Sequence, residues 1–149
     1  MQGAGGVMVK ITGAKAHKSR LNRIRGAAMR AEIGKAIYAA ADYLSVEAAL
    51  SVTNGAVSGK GHVASSPGEP PNADTHDLDR SIHTERESQL VALSVAASDH
   101  AAAMELGNSR VAARPFMQPA AEKTRPKAQR LVAAAVKIVS KGGYALASV

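Results

Sequence analysis

Histidine and carboxylate side chains are the first candidates for chemistry in this sequence, but they form no recognised catalytic or metal-binding pattern. Five histidines are spread along the chain: His17, His62, His76, His83 and His100. No two of them form an HxH or HExxH pair, and the chain has no cysteine to supply a thiolate ligand or nucleophile. His76 and Asp79 could share one helical turn, but two candidate ligands are too few for a metal site, and helix capping explains such acids better.

Hydrolase and nucleotide-binding motifs are missing as well. The sequence has no GxSxG segment of the kind that presents a nucleophilic serine. Gly59-Lys60-Gly61 lacks the flanking glycine and the following Ser or Thr of a phosphate-binding P-loop. Two carboxylate pairs, Asp77 with Asp79 and Glu85 with Glu87, are explained by solvated surfaces. We therefore expect no catalytic residue, no cofactor and no metal, and a hydrolase with an unrecognised site is the least favoured alternative.

The basic residues are concentrated near the two ends of the sequence. The chain has a net charge of +7, and residues 10–35 alone carry eight Lys and Arg against one Glu. Residues 36–112 have a net charge of −6, and residues 113–149 one of +6. Opposite charge blocks suit head-to-tail contacts between subunits. The first block supplies the candidate DNA-channel or subunit-contact residues, which are Lys18, Arg20, Arg23, Arg25 and Arg30.

The same basic block has two other interpretations. It could be a solvated helix surface, or it could bind nucleic-acid phosphates as part of a small basic nucleic-acid-binding protein. No aromatic residue lies between its basic residues, which argues against a surface that stacks single-stranded bases. The sequence also lacks a known DNA-binding motif, so DNA binding is kept as the alternative function.

A long helix is predicted to carry these basic residues, from about residue 17 to residue 50. Leu21, Ile24 and Ala28 follow helical spacing, and this stretch contains no proline. A helix of about 34 residues would be about 50 Å long, which exceeds the diameter of so small a domain. We therefore expect one end to project, or the helix to break near Gly26 or Gly34. Residues 1–16 are predicted to be a flexible arm in which Val7 to Ile11 could form a short strand.

A loop rich in Gly, Ser and Pro is predicted at residues 51–74. A connection of this length usually has a function or is disordered by itself. Its candidate assembly residues are Pro67, Gly68, Pro70 and Pro71. We expect this loop, like the N-terminal arm, to become ordered on assembly. Asp74 or Thr75 should cap a short helix that follows over residues 77–82.

Two strands and two helices are predicted after this short helix. The strands are His83–Glu87 and Gln89–Ala97, with Glu87-Ser88 as the turn between them. Asp99 should cap a further helix, which Gly107 ends.

The last helix should begin at Pro115 or Pro119 and continue to about Lys141, with a separate first turn or a kink at Pro126. Residues 142–149 are predicted to be a C-terminal tail. The predicted fold class is α+β: a long N-terminal helix and a C-terminal helix packed on a small antiparallel β-sheet, in one domain over residues 17–141.

The composition predicts a thin aliphatic core. The chain has one Phe, three Tyr and no Trp, so the core must be built from Ala, Val, Leu, Ile and Met. Phe116 is the natural core anchor, and neighbouring subunits should contribute to stability. No apolar run reaches the length needed to span a membrane, and the N-terminus does not have the pattern of a secretory signal.

Three stretches of the sequence resemble, in their order and spacing, a family of phage tail components. The first is Ser66-Pro67-Gly68-Glu69-Pro70-Pro71 followed by the segment 75–82, which contains Leu78 and Ile82. The second is the segment 101–107, with Glu105 and Gly107, and the third is the segment 113–120, with Pro115, Phe116 and Pro119. The family is typified by the tail-completion protein of the lambdoid phage Hong Kong ninety-seven, and the similarity covers about residues 17–141.

Some positions depart from the pattern of this family. His76 stands where the family usually has Gly, and Ala101 stands near its usual Tyr. Asn108 follows the glycine where Thr is common, and Met117 replaces Leu. Pro115 and Pro119 should set the entry to the last helix. Glu105 lies beside a glycine turn, where it could pair with Arg114, cap a neighbouring backbone or remain a surface carboxylate.

The resemblance implies a structural role in the neck of a long-tailed phage, a prophage or a gene transfer agent. Such proteins join head to tail, complete the tail or terminate the tail tube, and they form rings around the DNA channel. The implied partners are further copies of the chain in a ring, by resemblance a hexamer, the tail-tube protein, the head connector or stopper, and the genomic DNA passing through the lumen. The protein would then be made in the host cytoplasm and located in the virion, with no membrane partner.

Overall fold

The computed structural model describes residues 12–141, and within this range the chain is an α+β fold. Its helices are α1 (Ala14–Arg25), α2 (Ala27–Thr53), α3 (Asp77–Ser81), α4 (Ala101–Leu106) and α5 (Met117–Ser140). A short 3-10 turn, Gly59–Gly61, interrupts the long loop before α3, and β1 (Ile82–Ser88) pairs with β2 (Val91–Ala96) in an antiparallel sheet. The predicted fold class is confirmed. The proposed strand at residues 7–11 and the tail at residues 142–149 lie outside the described residues.

The predicted long helix divides at Gly26, one of the two glycines proposed for a break. Gly26 has extended backbone angles (φ −71°, ψ 159°), so α1 ends there and α2 begins immediately afterwards. Gly34, the other candidate, is buried inside α2. A Cβ at Gly34 would lie 2.2 Å from the Gln89 carbonyl oxygen, so this glycine lets the β1–β2 turn approach the helix. The helical region also starts earlier than predicted, at Ala14, which shortens the expected arm.

One face of the sheet packs on α2 through small polar groups. The Ser45 hydroxyl lies 2.9 Å from the Thr84 hydroxyl and 2.7 Å from the Ser94 hydroxyl, so it connects the helix to both strands. Nearby, the Arg86 guanidinium lies over the Tyr38 ring, 4.9 Å from its centroid. Side chains alternate along a strand, so Glu85, which lies between Thr84 and Arg86, faces away from α2.

The turn between the strands is Gln89-Leu90, two residues later than predicted. The pairing has an irregularity between Arg86 and Ser88, so β1 continues past the predicted Glu87-Ser88 turn. Gly34 provides the space for the turn at Gln89-Leu90, because only a residue without a side chain lets the Gln89 carbonyl come so close to α2. The difference therefore arises from packing against α2, which local turn propensity does not contain.

α5 packs along α2 and runs through Pro126 without interruption. The predicted separate first turn at Pro126 is wrong. Pro126 has no N–H to donate to the Glu122 carbonyl, but both residues lie on the exposed side of α5, so the helix continues through the proline. α5 begins at Met117, so Pro115 precedes the helix and Pro119 lies in its first turn. The Lys127 ammonium group lies 3.5 Å from the centroid of the Tyr43 ring on α2.

The hydrophobic core lies where the C-terminal half of α2 meets α3, α4 and the start of α5. Phe116 is fully buried, as predicted, and the other buried members of the cluster are mostly small: Ala48, Val52, Ala73, Leu78, Ala101 and Ala120. The partly buried side chains of Ile82, Met104 and Met117 pack against it. Four alanines among seven buried members make this a thin core with one large anchor.

Candidate assembly and nucleic-acid surfaces

The Glu105 side chain caps the N-terminus of α5. Its Oε2 accepts hydrogen bonds from the backbone N–H groups of Phe116 (2.8 Å) and Met117 (2.9 Å), and its Oε1 accepts one from Gln118 (2.9 Å). These N–H groups have no partner within their own helix, and the positive end of the helix dipole favours an anion beside them. Of the alternatives left open for Glu105, backbone capping is confirmed.

Gly107 makes this cap possible by reversing the chain after α4. It has φ 72°, and a Cβ there would lie 2.8 Å from the Ala113 backbone nitrogen, so both conformation and space favour glycine. The Arg114 N–H then donates to the Met104 carbonyl at 2.6 Å, which brings residues 113–116 alongside α4. The helix therefore ends at Gly107, as predicted.

Arg114 does not pair with Glu105. Its Nε donates to the Ser65 carbonyl at 3.1 Å. The side chain therefore connects residues 107–116, which form the corner between α4 and α5 (the α4–α5 corner), to the long loop. The Gly68 N–H adds a second connection, because it donates to the Ala113 carbonyl at 2.9 Å. The first and third stretches of the phage-like pattern are thus in direct contact.

The long loop, residues 54–76, is held to the rest of the subunit. Ser66 and Glu69 close a turn in which Pro67 precedes Gly68, and Gly68 has φ 87°, as a type II turn requires. The Asn72 side-chain amide donates to the Val63 carbonyl at 2.8 Å. α2 continues to Thr53, so the loop starts later than predicted. These contacts lie within one chain, and the ordering of the loop on assembly stays a prediction.

The four candidate assembly residues of this loop do not share one environment. Pro67 and Gly68 are exposed at the turn, Pro70 is half-buried and Pro71 is buried. Pro70 lies beside Leu50 at the end of α2, in a cleft that Lys123 also lines. Of these four residues, Pro67 and Gly68 are therefore the most accessible, while Pro71 is packed inside the chain.

α3 begins at His76 and not at the predicted caps. His76 has φ 64°, in the left-handed region, and no side-chain hydrogen bond caps the helix. The Thr75 hydroxyl donates to the Asp77 carboxylate at 2.6 Å, and Asp74 Oδ1 accepts from the Gly59 N–H at 2.8 Å, so both predicted caps are engaged elsewhere. Glycine adopts this conformation without strain, whereas histidine does so rarely.

Substitutions at His76 should separate backbone strain from side-chain contacts. His76→Gly should keep the free energy of unfolding within about 1 kcal/mol of wild type, because relief of strain offsets the loss of bonds to Asp79 and Ser58. His76→Val should lower it by about 1–3 kcal/mol, because a β-branched residue resists a positive φ. Urea denaturation of both variants gives the comparison, and equal losses would contradict the role of backbone strain.

His76 and Asp79 do share one turn, with Nδ1 and Oδ2 at 3.2 Å. No group of three or more His, Cys, Asp or Glu able to hold a metal ion occurs in the described part of the chain. This pair therefore serves the start of α3, where it joins the αL residue to the following turn.

α1 forms an exposed basic surface at one end of the molecule. None of its residues is buried, and it carries Lys15, Lys18, Arg20, Arg23 and Arg25 with no acidic residue. Across residues 12–141, none of these side chains makes an ion pair with a carboxylate. Arg30 is exposed in the first turn of α2, and α1 also contacts α5.

A cleft of about 680 Å³ separates α1 from the start of α2 and the end of α5. Lys15, Lys18 and Arg23 line it, together with Met29 and Val139. Arg20 and Arg25 do not line this cleft, so the structure brings only part of the predicted basic set to one place. The surface can attract phosphate groups or an acidic protein surface, because both are polyanionic.

Three carboxylates lie at the opposite end of α2. This helix has 27 residues and is about 40 Å long. Val52, in its last turn, lies beside the segment 71–79, which contributes Asp74, Asp77 and Asp79. The molecule therefore has a basic end at α1 and, beside α3, a cluster of these three carboxylates, here called the acidic end.

Two exposed ion pairs shift the pKa of their basic member. A hydrogen bond to the Ser81 backbone carbonyl, then one to the Glu85 carboxylate, raises the pKa of His83 above its ordinary value. The hydrogen bond and the charge of Glu47 raise the pKa of Lys123. His83 and Glu85 lie on the face of the sheet away from α2, so this face is polar at β1.

Comparison of the chain with protein-family models, curated proteins and solved structures found no match. Between residues 12 and 141, no helix is long and apolar enough to cross a membrane. The fold class and the surfaces described above are thus the structural basis for a functional proposal.

Proposed function

We propose that this chain is a structural virion protein of the neck of a long-tailed phage, prophage or gene transfer agent. It would join head to tail, complete the tail or terminate the tail tube, and would assemble as a ring around the DNA channel. One observation carries the proposal: the three phage-like stretches meet at the α4–α5 corner. Leu78, Ala101 and Phe116, one from each stretch, belong to a single buried cluster.

The contacts between the stretches support a common origin for their spacing. Glu105 in the second stretch caps the helix that the third opens, and Gly68 in the first donates to Ala113 in the third. The stretches therefore behave as one structural unit, as expected of a family signature.

The charge separation along α2 supports assembly of many copies. A basic end and an acidic end on one molecule attract each other between copies, and such heterologous contacts form a ring when the rotation closes. The proposed partners are further copies in a hexamer, the tail-tube protein, the head connector or stopper, and the genomic DNA in the lumen. The role is assembly in the virion after synthesis in the host cytoplasm, without catalysis and without a membrane partner.

The alternative is a small basic nucleic-acid-binding protein. The observation that favours it is that α1 has no buried residue and that its basic side chains make no ion pair with a carboxylate across residues 12–141. A protein of this kind would bind duplex DNA as an isolated subunit, whereas a ring component would need the assembled lumen to bring many such helices around the DNA. The two functions thus differ in what the isolated chain does.

Replacing Arg20, Arg23, Arg25 and Arg30 with Gln distinguishes the two functions. We expect the isolated wild-type protein to bind duplex DNA weakly, and the variant to form fewer rings in native mass spectrometry and electron microscopy of concentrated protein. The reason is that these residues would contact an acidic neighbour or line a lumen. A control with Lys60, Arg80, Arg110 and Arg130 changed to Gln removes the same charge from other exposed positions.

Tight duplex binding by the wild-type subunit would contradict the proposed ring function. The nucleic-acid-binding alternative is favoured if the affinity for DNA falls steeply as salt is added. Each phosphate contact lowers the logarithm of the binding constant by about 0.9 for every tenfold rise in salt concentration. Unchanged ring formation in the four-arginine variant would also contradict the assembly role of these residues. Loss of rings in the control variant alone would assign assembly to a surface other than α1.

A further inference from the structure

We propose that two copies of this chain associate through the free edge of β2 and form a continuous four-stranded antiparallel sheet. The sheet of one subunit has two strands in the described range, so β2 pairs with β1 on one side only. An unpaired strand edge presents backbone N–H and C=O groups that can bind another strand. The dimer interface would lie in the middle of the sheet, with β2 of each copy side by side.

The β2 edge lacks the features that usually prevent such pairing. Val91–Ala96 contains no charged residue and no proline, and the Val91 and Leu93 side chains are each 42% exposed. β1 is different, because His83, Glu85 and Arg86 give it charge and a pairing irregularity follows Arg86. Charges and bulges protect sheet edges against association, so β1 is protected and β2 is not.

An apolar groove of about 330 Å³ lies directly beside β2. Ile37, Ala41 and Leu44 of α2 form its floor, Ala92 and Ser94 of β2 form one wall, and Thr124 of α5 lies on the other side. A strand added to β2 would lie over this groove. In a two-fold dimer the groove of one copy would lie beside that of the other.

The strand itself is the most suitable partner for this edge. Thr84 and Ser94 are paired across the strands and both contact Ser45, so Leu93 and its β1 partner Glu85 point away from α2. When β2 pairs antiparallel with itself about Leu93, each Leu93 meets Leu93 of the partner subunit, and Val91 meets Val95 of the partner subunit. Every pair on this face is then apolar. A β1 strand in the same place would put Glu85 against these side chains.

This contact is isologous and uses the same edge on both copies, so it limits association to two. It is separate from α1 and from the acidic end of α2, which are the surfaces of the proposed ring. The inference therefore stands or falls independently of the proposed function: the dimer is the state of the free protein, whether or not the chain later forms a ring.

Disulfide trapping tests the contact and its register, because the chain has no cysteine of its own. In the Leu93→Cys variant, the two thiols would face each other across the pair at a distance that allows a disulfide. We expect mild oxidation to link two copies at least about tenfold faster than in Leu106→Cys, a control at a position that is 79% exposed. Val91→Cys should link as slowly as the control, since its own copies lie four residues apart in this register. Equal rates at all three positions would overturn the proposal.

Sedimentation equilibrium gives a second measurement that does not need a disulfide. The wild-type protein should be a dimer at micromolar concentration, and Leu93→Lys should raise the dimer dissociation constant at least about tenfold, because it places two ammonium groups opposite each other. Leu106→Lys makes the same chemical change at an exposed site outside the sheet and should leave the dissociation constant unchanged. A wild-type protein that stays monomeric, or a Leu93→Lys variant that dimerises normally, would overturn the proposal.

Discussion

Replacing Phe116 with Ala should lower the free energy of unfolding by about 3–5 kcal/mol. Phe116 is fully buried at the α4–α5 corner and is the only phenylalanine in the chain. Its neighbours Ala101 and Ala120 are too small to move into the space that it would leave. Since a domain of this size is stable by about 5–15 kcal/mol, the loss would be a large part of the total.

Urea denaturation followed by circular dichroism measures this loss. Phe116→Leu is the matched variant, because it keeps an apolar side chain and leaves a smaller cavity, and it should cost clearly less than Phe116→Ala. An exposed apolar residue, Leu50, provides the control: Leu50→Ala should change the free energy of unfolding by less than about 1 kcal/mol. An unchanged midpoint for Phe116→Ala would show that the three phage-like stretches do not depend on this side chain.

The Glu105→Ala substitution should lower the free energy of unfolding by about 2–4 kcal/mol. It would leave the N–H groups of Phe116, Met117 and Gln118 without their carboxylate acceptor. Two of these three bonds are partly buried, so water replaces the carboxylate poorly. Glu105→Gln keeps an acceptor oxygen but removes the charge, and it should cost about half as much.

Glu122→Ala is the control for this prediction. Glu122 is an exposed carboxylate on α5 that accepts a hydrogen bond from the Gln118 side chain, and it does not cap the backbone N–H groups at the start of the helix. Its replacement should therefore lower the free energy of unfolding by less than about 0.5 kcal/mol. The measurement is again chemical denaturation, with α5 helicity followed at 222 nm. Equal effects of Glu105→Ala and Glu122→Ala would contradict the capping role and leave the order at the α4–α5 corner to Gly107 and Phe116 alone.

Several local features could be predicted because their causes are themselves local. Gly26 separates two helices, and Gly107 ends α4 with a positive φ, as the intrinsic freedom of glycine allows. The burial of Phe116 follows from the composition, since it is the only phenylalanine in a chain that has no tryptophan. The α+β class follows from two helical stretches on either side of an alternating, β-branched one.

Other predictions failed where contacts distant in sequence overrode local preference. Asp74 is a good N-cap residue, yet its carboxylate accepts a hydrogen bond from the Gly59 N–H, 15 residues earlier, and His76 occupies the helix start in a left-handed conformation. Local turn signals predicted Glu87-Ser88 as the turn between the strands, but the Gln89 carbonyl packs beside Gly34 of α2 and the turn lies at Gln89-Leu90. Propensity describes a residue and its near neighbours, so it cannot contain such partners.

The sequence by itself therefore determined the elements, the single aromatic anchor and the uneven charge, because periodicity, volume and charge belong to the residues wherever they lie. Only the tertiary structure decided what these features meet. It set Glu105 on three N–H groups of another helix and put Gly34 under the Gln89 carbonyl. It also placed the basic residues of α1 and three carboxylates of the segment 71–79 at opposite ends of α2. It also left the uncharged edge of β2 beside an apolar groove. Each of these depends on the distance between residues far apart in the chain, and that distance is fixed by the packing of whole helices and strands.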